Sequence, residues 1–260
     1  MAVALDYLVV EDRLPAVHIT LNRPEQLNAL STGLMRELIA ELQRQGERSE
    51  VAAIVLKGGG RAFSAGHDLK ELVGRTLDEE RAVFQTCESL MEQVQATPQP
   101  VIAQVHGIAT AAGCQLVATC DLAIAAEEAR FATSGIRNGI FCYTPMVAVS
   151  RSLGRKRALE MVLTGGFVDA RTAAEWGLVN RVVPAERLEA EVQELVEQLG
   201  ALSPYAIRSG KRAFYEQVEK EQAEAYDLMT EAISCNALSK DAQEGMSAFI
   251  EKRKPTWRGE

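Results

Sequence analysis

The chain has 260 residues, 47% hydrophobic and 25% charged, which is enough for one large or two modest globular domains. Its formal net charge of -8 excludes a general nucleic-acid or anionic-membrane surface, because phosphate binding without sequence preference needs a basic field over much of one face. The cysteines Cys87, Cys114, Cys120, Cys142 and Cys235 include no C-x-x-C pair, and their odd number reads as reduced, mostly buried thiols rather than a disulfide framework.

In chain order, residues 1–6 carry neither a basic region followed by an apolar one nor Arg-rich amphipathic character, so a cytoplasmic protein is expected. A strand pair follows at 7–11 and 16–21, with Pro15 in its turn and Asn22-Arg23-Pro24 breaking it. Ser31 caps a helix running to about Gln45, with Leu34, Leu38 and Leu42 on one stripe and Gly46 closing it. A strand at 51–56, a glycine loop at 57–60 and a helix at 78–95 come next, and Pro98 and Pro100 stop that helix. The stretch 101–126 is long and nearly free of charge. Gln104, His106, Gly107, Gly113, Gln115 and Asp121 interrupt it, which predicts strand, turn, buried helix and strand rather than a membrane span. The repeated strand-strand-helix rhythm suggests stacked ββα units.

Beyond Thr144 the pattern turns helical, with an arginine-rich helix at 151–163, an Asp169-capped helix ending at Gly177, a short strand at 179–183 and helices to the end. Ser203-Pro204 is a cap followed by a first-turn proline. The chain therefore reads as an α/β core over 1–195 and a helical tail over 196–260, whose apolar stripe is available to a partner subunit.

Two segments carry chemistry: 61–69 and 105–115. Each runs from a buried strand through tiny residues into a helix start, so that a ligand can touch backbone and meet unpaired N–H groups. Two such loops converging would make an oxyanion hole, each donor contributing about 2.7–4 kcal/mol against developing charge. A thioester carbonyl becoming an enolate is a fitting target.

At these residues the chain resembles the crotonase superfamily, the enoyl-CoA hydratase/isomerase family. The marks include Asn22-Arg23-Pro24 with Leu27-Asn28-Ala29-Leu30, the run Phe63 to Leu69, the block 107–123 with Cys120-Asp121, Leu163-Thr164-Gly165 and Gly177-Leu178-Val179. Glu244-Gly245 and 249–255 complete the set. Within the family the chain is similar to the subgroup catalogued as enoyl-CoA hydratase domain-containing proteins, through the runs 66–72 and 111–116.

The resemblance implies a crotonase-type spiral of ββα units and a C-terminal helical region that builds trimers, often stacked as hexamers. It implies acyl-CoA thioester substrates, with coenzyme A as part of the substrate, no separate cofactor and no metal. Carried over by position, the oxyanion donors are the backbone N–H groups of His67 and Ala112. Gln26, Leu27, Ala29 and Ala65 line the CoA path, and Asp68, Leu69 and Lys70 stand near the adenine. Phe249 and Lys252 reach the ligand from a neighbouring subunit.

The pattern breaks at the two positions where family hydratases carry glutamates, here Gln115 and Gly135. Hydration needs one group to take a proton from water and another to give one to the α-carbon, and neither an amide nor a hydrogen atom does so near neutral pH. Gln115 retains the capacity to orient a water. His67 is the one histidine of these loops, its side chain facing either the acyl pocket or the surface, and a non-catalytic histidine is the more ordinary case. Cys142 and Tyr143 fall where the acyl group would lie, as lining or as chemistry. Asp121 and Glu127 read as structural. Ser64, His67 and Asp68 are too close in sequence for a hydrolase triad. Three readings remain open: an enolate-stabilising acyl-CoA enzyme without the two-glutamate machinery, a methylmalonyl-CoA-type decarboxylase, and a non-catalytic acyl-CoA-binding protein.

Overall fold

The structure, a computed structural model, describes residues 2–260. Ten strands form two sheets: β1 (Ala2–Ala4), β2 (Leu8–Arg13), β3 (Ala16–Leu21), β4 (Ala53–Gly58), β5 (Val101–Val105), β6 (Ile108–Thr110), β7 (Leu122–Ala126), β8 (Arg130–Ala132), β9 (Val168–Asp169) and β10 (Arg181–Val183). The larger sheet runs β1-β2-β3-β4-β5-β7-β10, antiparallel through β3 and parallel from β3 onward. The smaller one, β6-β8-β9, sits beside it, β6 and β8 pairing in parallel. β6 and β8 extend the ββα rhythm in three-residue pieces too short for any periodicity to announce them.

The first three helices, α1 (Thr32–Gly46), α2 (Leu77–Ala96) and α3 (Ala112–Thr119), cover one face of the larger sheet. On α1 the expected stripe of Leu34, Leu38 and Leu42 is fully buried, each side chain contributing about 1.5–3 kcal/mol. The Ser31 hydroxyl accepts from Leu34 N–H at 3.3 Å, the predicted cap. Thr76 and Glu79 form a reciprocal capping box at the start of α2. Pro98 and Pro100 follow α2, and β5 begins at the predicted residue.

The arginine-rich helix is two helices, α4 (Tyr143–Ser152) and α5 (Arg155–Thr164), because Leu153 takes an extended backbone and Gly154 becomes the cap of the second. α6 (Ala170–Trp176) follows, with the Asp169 carboxylate accepting from Thr172 N–H at 2.9 Å and Gly177 in the left-handed region. The opposite face of the larger sheet is covered by α7 (Leu188–Gly200), whose Leu188, Val192 and Val196 pack on Ala16, Ala53, Val55, Ile102 and Ile124. This helix runs across residue 195, the expected boundary between core and tail. The remaining helices are α8 (Pro204–Gln217), α9 (Gln222–Ala237) and α10 (Lys240–Glu251). Asp121, largely but not fully buried, leads into β7 and ties α8 down: it accepts from Lys211 Nζ at 2.6 Å, the Tyr215 hydroxyl at 2.8 Å and Val101 N–H at 2.7 Å. Lys211 also donates to the Val94 and Gln99 carbonyls at 3.0 Å each. Among the described residues no helix is long and apolar enough to cross a membrane.

Candidate active site

The two glycine-containing loops meet at Gly66. A Cβ there would stand 2.8 Å from the Ala111 Cβ, 2.8 Å from the Thr110 carbonyl oxygen and 3.1 Å from Ala112 N, and the residue holds φ +90, so only glycine lets the loops touch. Gly113 is as tightly enclosed, its added Cβ falling 2.4 Å from the Ser64 carbonyl oxygen. Thr110 fastens the approach, donating its N–H to the Ser64 carbonyl at 2.9 Å and its hydroxyl to the Ala65 carbonyl at 3.0 Å. Asn28, fully buried, holds the first loop from below. Its amide donates to the Gly59 and Ala62 carbonyls at 2.8 Å each, and its own carbonyl accepts the Ser64 hydroxyl at 2.9 Å. Ala111 is held at φ 49, a strained conformation for a residue with a Cβ, by its N–H bond to the Ala132 carbonyl at 2.8 Å.

This convergence leaves two backbone donors unused. The bridge between Leu30 and His67 engages the N–H groups of Leu30 and Asp68, at 2.7 Å and 3.3 Å, and passes over that of His67. Ala112 is the first residue of α3, where helical N–H groups have no partner within the helix. Neither N–H finds an acceptor among the described residues, and both residues line one cavity of about 710 Å³.

The cavity brings together most of the predicted residues: Gln26, Ala29, Ala65, His67, Asp68, Leu69, Lys70, Ala112, Gly135, Cys142 and Tyr143 all line it. Leu27 and Gln115 do not, nor do Phe249 and Lys252 of the same chain. Gln115 is only 5% exposed, and its Oε1 lies 3.9 Å from the Cys87 thiol on α2. Its amide therefore packs toward α2 and away from the cavity lining. Gly135 is closed by its neighbours, an ideal Cβ falling 2.7 Å from the Ile140 carbonyl oxygen and 2.9 Å from the Cys142 Sγ. Phe84 and Leu72 also line the cavity. Phe84 gives no sign in the sequence beyond being an aromatic residue on a helix, because its role depends on how α2 crosses the first loop.

His67 packs edge-on against Phe84, ring centroids 5.2 Å apart. Both its ring nitrogens are buried from solvent without a hydrogen-bond partner. Burial lowers its pKa; the Leu30 carbonyl, near but outside hydrogen-bonding geometry, and the Glu71 charge offset part of that. The imidazole is therefore neutral and its nitrogens sealed, while the backbone N–H of the same residue has no acceptor. Asp68, the one carboxylate of the lining, is paired with Arg23 at 3.0 Å and accepts from Lys70 N–H at 3.2 Å. That pairing makes Asp68 a brace between the first loop and Arg23. Burial raises the Cys142 thiol pKa, and Tyr143, 69% exposed, stands at the start of α4. The five cysteines are all free, Cys235 alone being exposed.

A family profile described as Enoyl-CoA hydratase/isomerase matches residues 15–260. The chain is 42% identical over 241 residues to the Rattus norvegicus protein named enoyl-CoA hydratase domain-containing protein 3, mitochondrial, covering 92% of this chain and 80% of that one. It superposes on the crystal structure of an enoyl-CoA hydratase from Mycobacterium smegmatis with a TM-score of 0.95 and 46% identity, over 97% of this chain and 99% of the other. On the crystal structure of human enoyl coenzyme A hydratase domain-containing protein 3 the TM-score is 0.94 at 39% identity, over 96% and 100%. The expectation of a cytoplasmic protein is corrected by these relatives: those of rat, mouse, Xenopus laevis and human are named as mitochondrial proteins. The unremarkable composition of residues 1–6 carries no weight against their names.

Proposed function

The chain belongs to the enoyl-CoA hydratase/isomerase family, and from that premise we propose that it is an acyl-CoA enzyme that stabilises a thioester enolate without the two-glutamate machinery of a hydratase. The observation that carries this reading is the pair of unengaged N–H groups, His67 and Ala112, on the wall of one cavity. Donors fixed before the reaction stabilise charge as it develops on the thioester oxygen and need no reorganisation. The missing machinery is equally concrete, with Gln115 turned to α2, position 135 filled, and Asp68 held by Arg23.

A second reading, decarboxylation of a malonyl-type thioester, draws support from the apolar lining of Leu72, Phe84, Ile140 and Phe141. Loss of carbon dioxide generates the enolate without a base, and apolar surroundings destabilise the departing carboxylate. We further propose a trimer, alone or stacked as a hexamer, built by the tail, where Tyr226, Ile233, Phe249 and Ile250 are 66%, 63%, 85% and 78% exposed. In such an assembly Phe249 and Lys252 meet the ligand of a neighbouring copy rather than their own. Incubation with crotonyl-CoA and methylmalonyl-CoA, each followed by mass spectrometry, tests the reading. Water addition at enzymatic rates would restore a hydratase, loss of carbon dioxide would select the second reading, and failure to bind either thioester would end both.

A further inference from the structure

An enolate held in this cavity still needs a proton, and the structure narrows its source. Asp68 is engaged by Arg23, the His67 ring nitrogens are sealed from solvent, and Tyr143 and Lys70 are exposed. Of the ionisable side chains in the lining that leaves Cys142, the Ser134 and Thr144 hydroxyls being far weaker acids. It lines the cavity at 6% exposure, and its sulfur lies 2.9 Å from the point where a Cβ at position 135 would be. The thiol thus crowds the point where a side chain at 135 would begin, together with the Ile140 carbonyl oxygen at 2.7 Å, and 135 is the position at which the family resemblance implies a hydratase's second glutamate.

We propose that the Cys142 thiol is the proton donor of this cavity, standing in for the carboxylate that position 135 lacks. The inference rests on the enolate reading above. In the step, the enolate carbon–carbon π pair takes the hydrogen of the Cys142 S–H, forming the Cα–H bond. The thioester carbonyl re-forms as charge leaves the oxygen facing His67 and Ala112, and the thiolate recovers its proton from water. Burial, which raises the thiol pKa, keeps the hydrogen in place at neutral pH and makes Cys142 a donor rather than a resting thiolate.

The same step run backward removes an α-hydrogen, so incubation of the protein with butyryl-CoA in D2O, followed by mass spectrometry against a protein-free control, reads it directly. Cys142→Ala and Cys142→Ser are expected to exchange at least about 100-fold more slowly than the parent while binding butyryl-CoA within about threefold. Parent exchange is expected to rise with pH to beyond 9, since the thiolate is then the base and burial places its pKa above the ordinary 9.0. Exchange in both variants within about threefold of the parent would overturn the assignment and leave the enolate reading intact. A parent that binds butyryl-CoA without exchange would overturn the enolate reading, and Cys142 with it. Should the alanine variant not fold, the near-isosteric serine variant and the parent pH profile decide: a flat profile overturns the assignment and a continuing rise supports it.

Discussion

Returning both carboxylates to their family positions is expected not to create a hydratase. Gln115→Glu places its acid at a site 5% exposed beside the Cys87 thiol, outside the cavity lining, where an unpaired carboxyl stays protonated. Gly135→Glu must displace both the Ile140 carbonyl, 2.7 Å from the new Cβ, and the Cys142 sulfur at 2.9 Å. Overpacking of this kind costs about 1–3 kcal/mol, which at about 2–4 °C per kcal/mol lowers the melting temperature by roughly 2–12 °C. Working general acid–base groups contribute about 10²–10⁴-fold each, so a restored hydratase would be unmistakable in the loss of crotonyl-CoA absorbance. The assay pairs that absorbance with a thermal melt of each single variant and of the double variant. Hydration rising more than about 100-fold in the double variant, with an unchanged melt, would show that position 135 has room and that residue 115 reaches the cavity, refuting the packing argument.

Three further outcomes follow from single contacts. His18 on β3 is 2% exposed with both ring nitrogens unpartnered, and burial, aided by Lys57 and Arg13 and opposed by Glu11 and Glu189, lowers its pKa to about 4. A folded value below the unfolded 6.5 means stability is complete above pH 6.5 and lost as pH falls toward 4, by about 3 kcal/mol. Urea midpoints of the parent and His18→Val across that window check this, and parallel curves would count against it. Gly66→Ala is expected to cost at least about 1–2 kcal/mol in unfolding free energy through its left-handed backbone, and to weaken acyl-CoA binding by parting the loops. Equal affinity in the variant would sever the loops' contact from binding. Lys211→Met leaves the largely buried Asp121 carboxylate without its cation and is expected to destabilise by about 3–5 kcal/mol in calorimetry, while adding Asp121→Asn recovers part of the loss. A loss under about 1 kcal/mol would make the pair incidental.

The elements legible in the sequence were those with both a period and a punctuation mark. The helix from Ser31 had a cap, a leucine stripe and a closing glycine, and α1 matches within a residue; Pro98 and Pro100 likewise framed α2 and β5. The split between α4 and α5 escaped because the apolar pattern runs on through Leu153, and only the backbone turn at Gly154 interrupts it. In the cavity, the loop residues were legible as runs of tiny side chains leading into a helix start, a pattern that close packing also uses at Gly66 and Gly113. Gln115 was placed correctly in the chain, but which way its amide points depends on the crossing of α2 over α3, a relation no local pattern encodes. Cys142 was visible only as a residue near the acyl group. Its coincidence with the missing side chain of position 135 exists only in three dimensions, where the turn after Asn138 folds back on Gly135.

On the proposed enolate reading the site separates two layers of chemistry. Charge stabilisation would reside in backbone, requiring small residues at Gly66, Ala112 and Gly113 and nothing of any side chain, and would contribute about 2.7–4 kcal/mol per donor. Proton transfer resides in side chains and contributes about 10²–10⁴-fold, or roughly 3–5 kcal/mol, for each acid or base. Because the two are comparable in size and independent in structure, exchanging Glu for Gln or Gly at two positions leaves the first layer whole and the second open to replacement. Gly135 does more than omit a carboxylate. Its missing Cβ leaves the Cys142 sulfur and the Ile140 carbonyl oxygen room to close in, 2.9 Å and 2.7 Å from where that atom would stand. On the proposed reading, a chain built this way suits reactions in which a weak, protonated acid suffices, with an enolate to be quenched rather than a water to be activated.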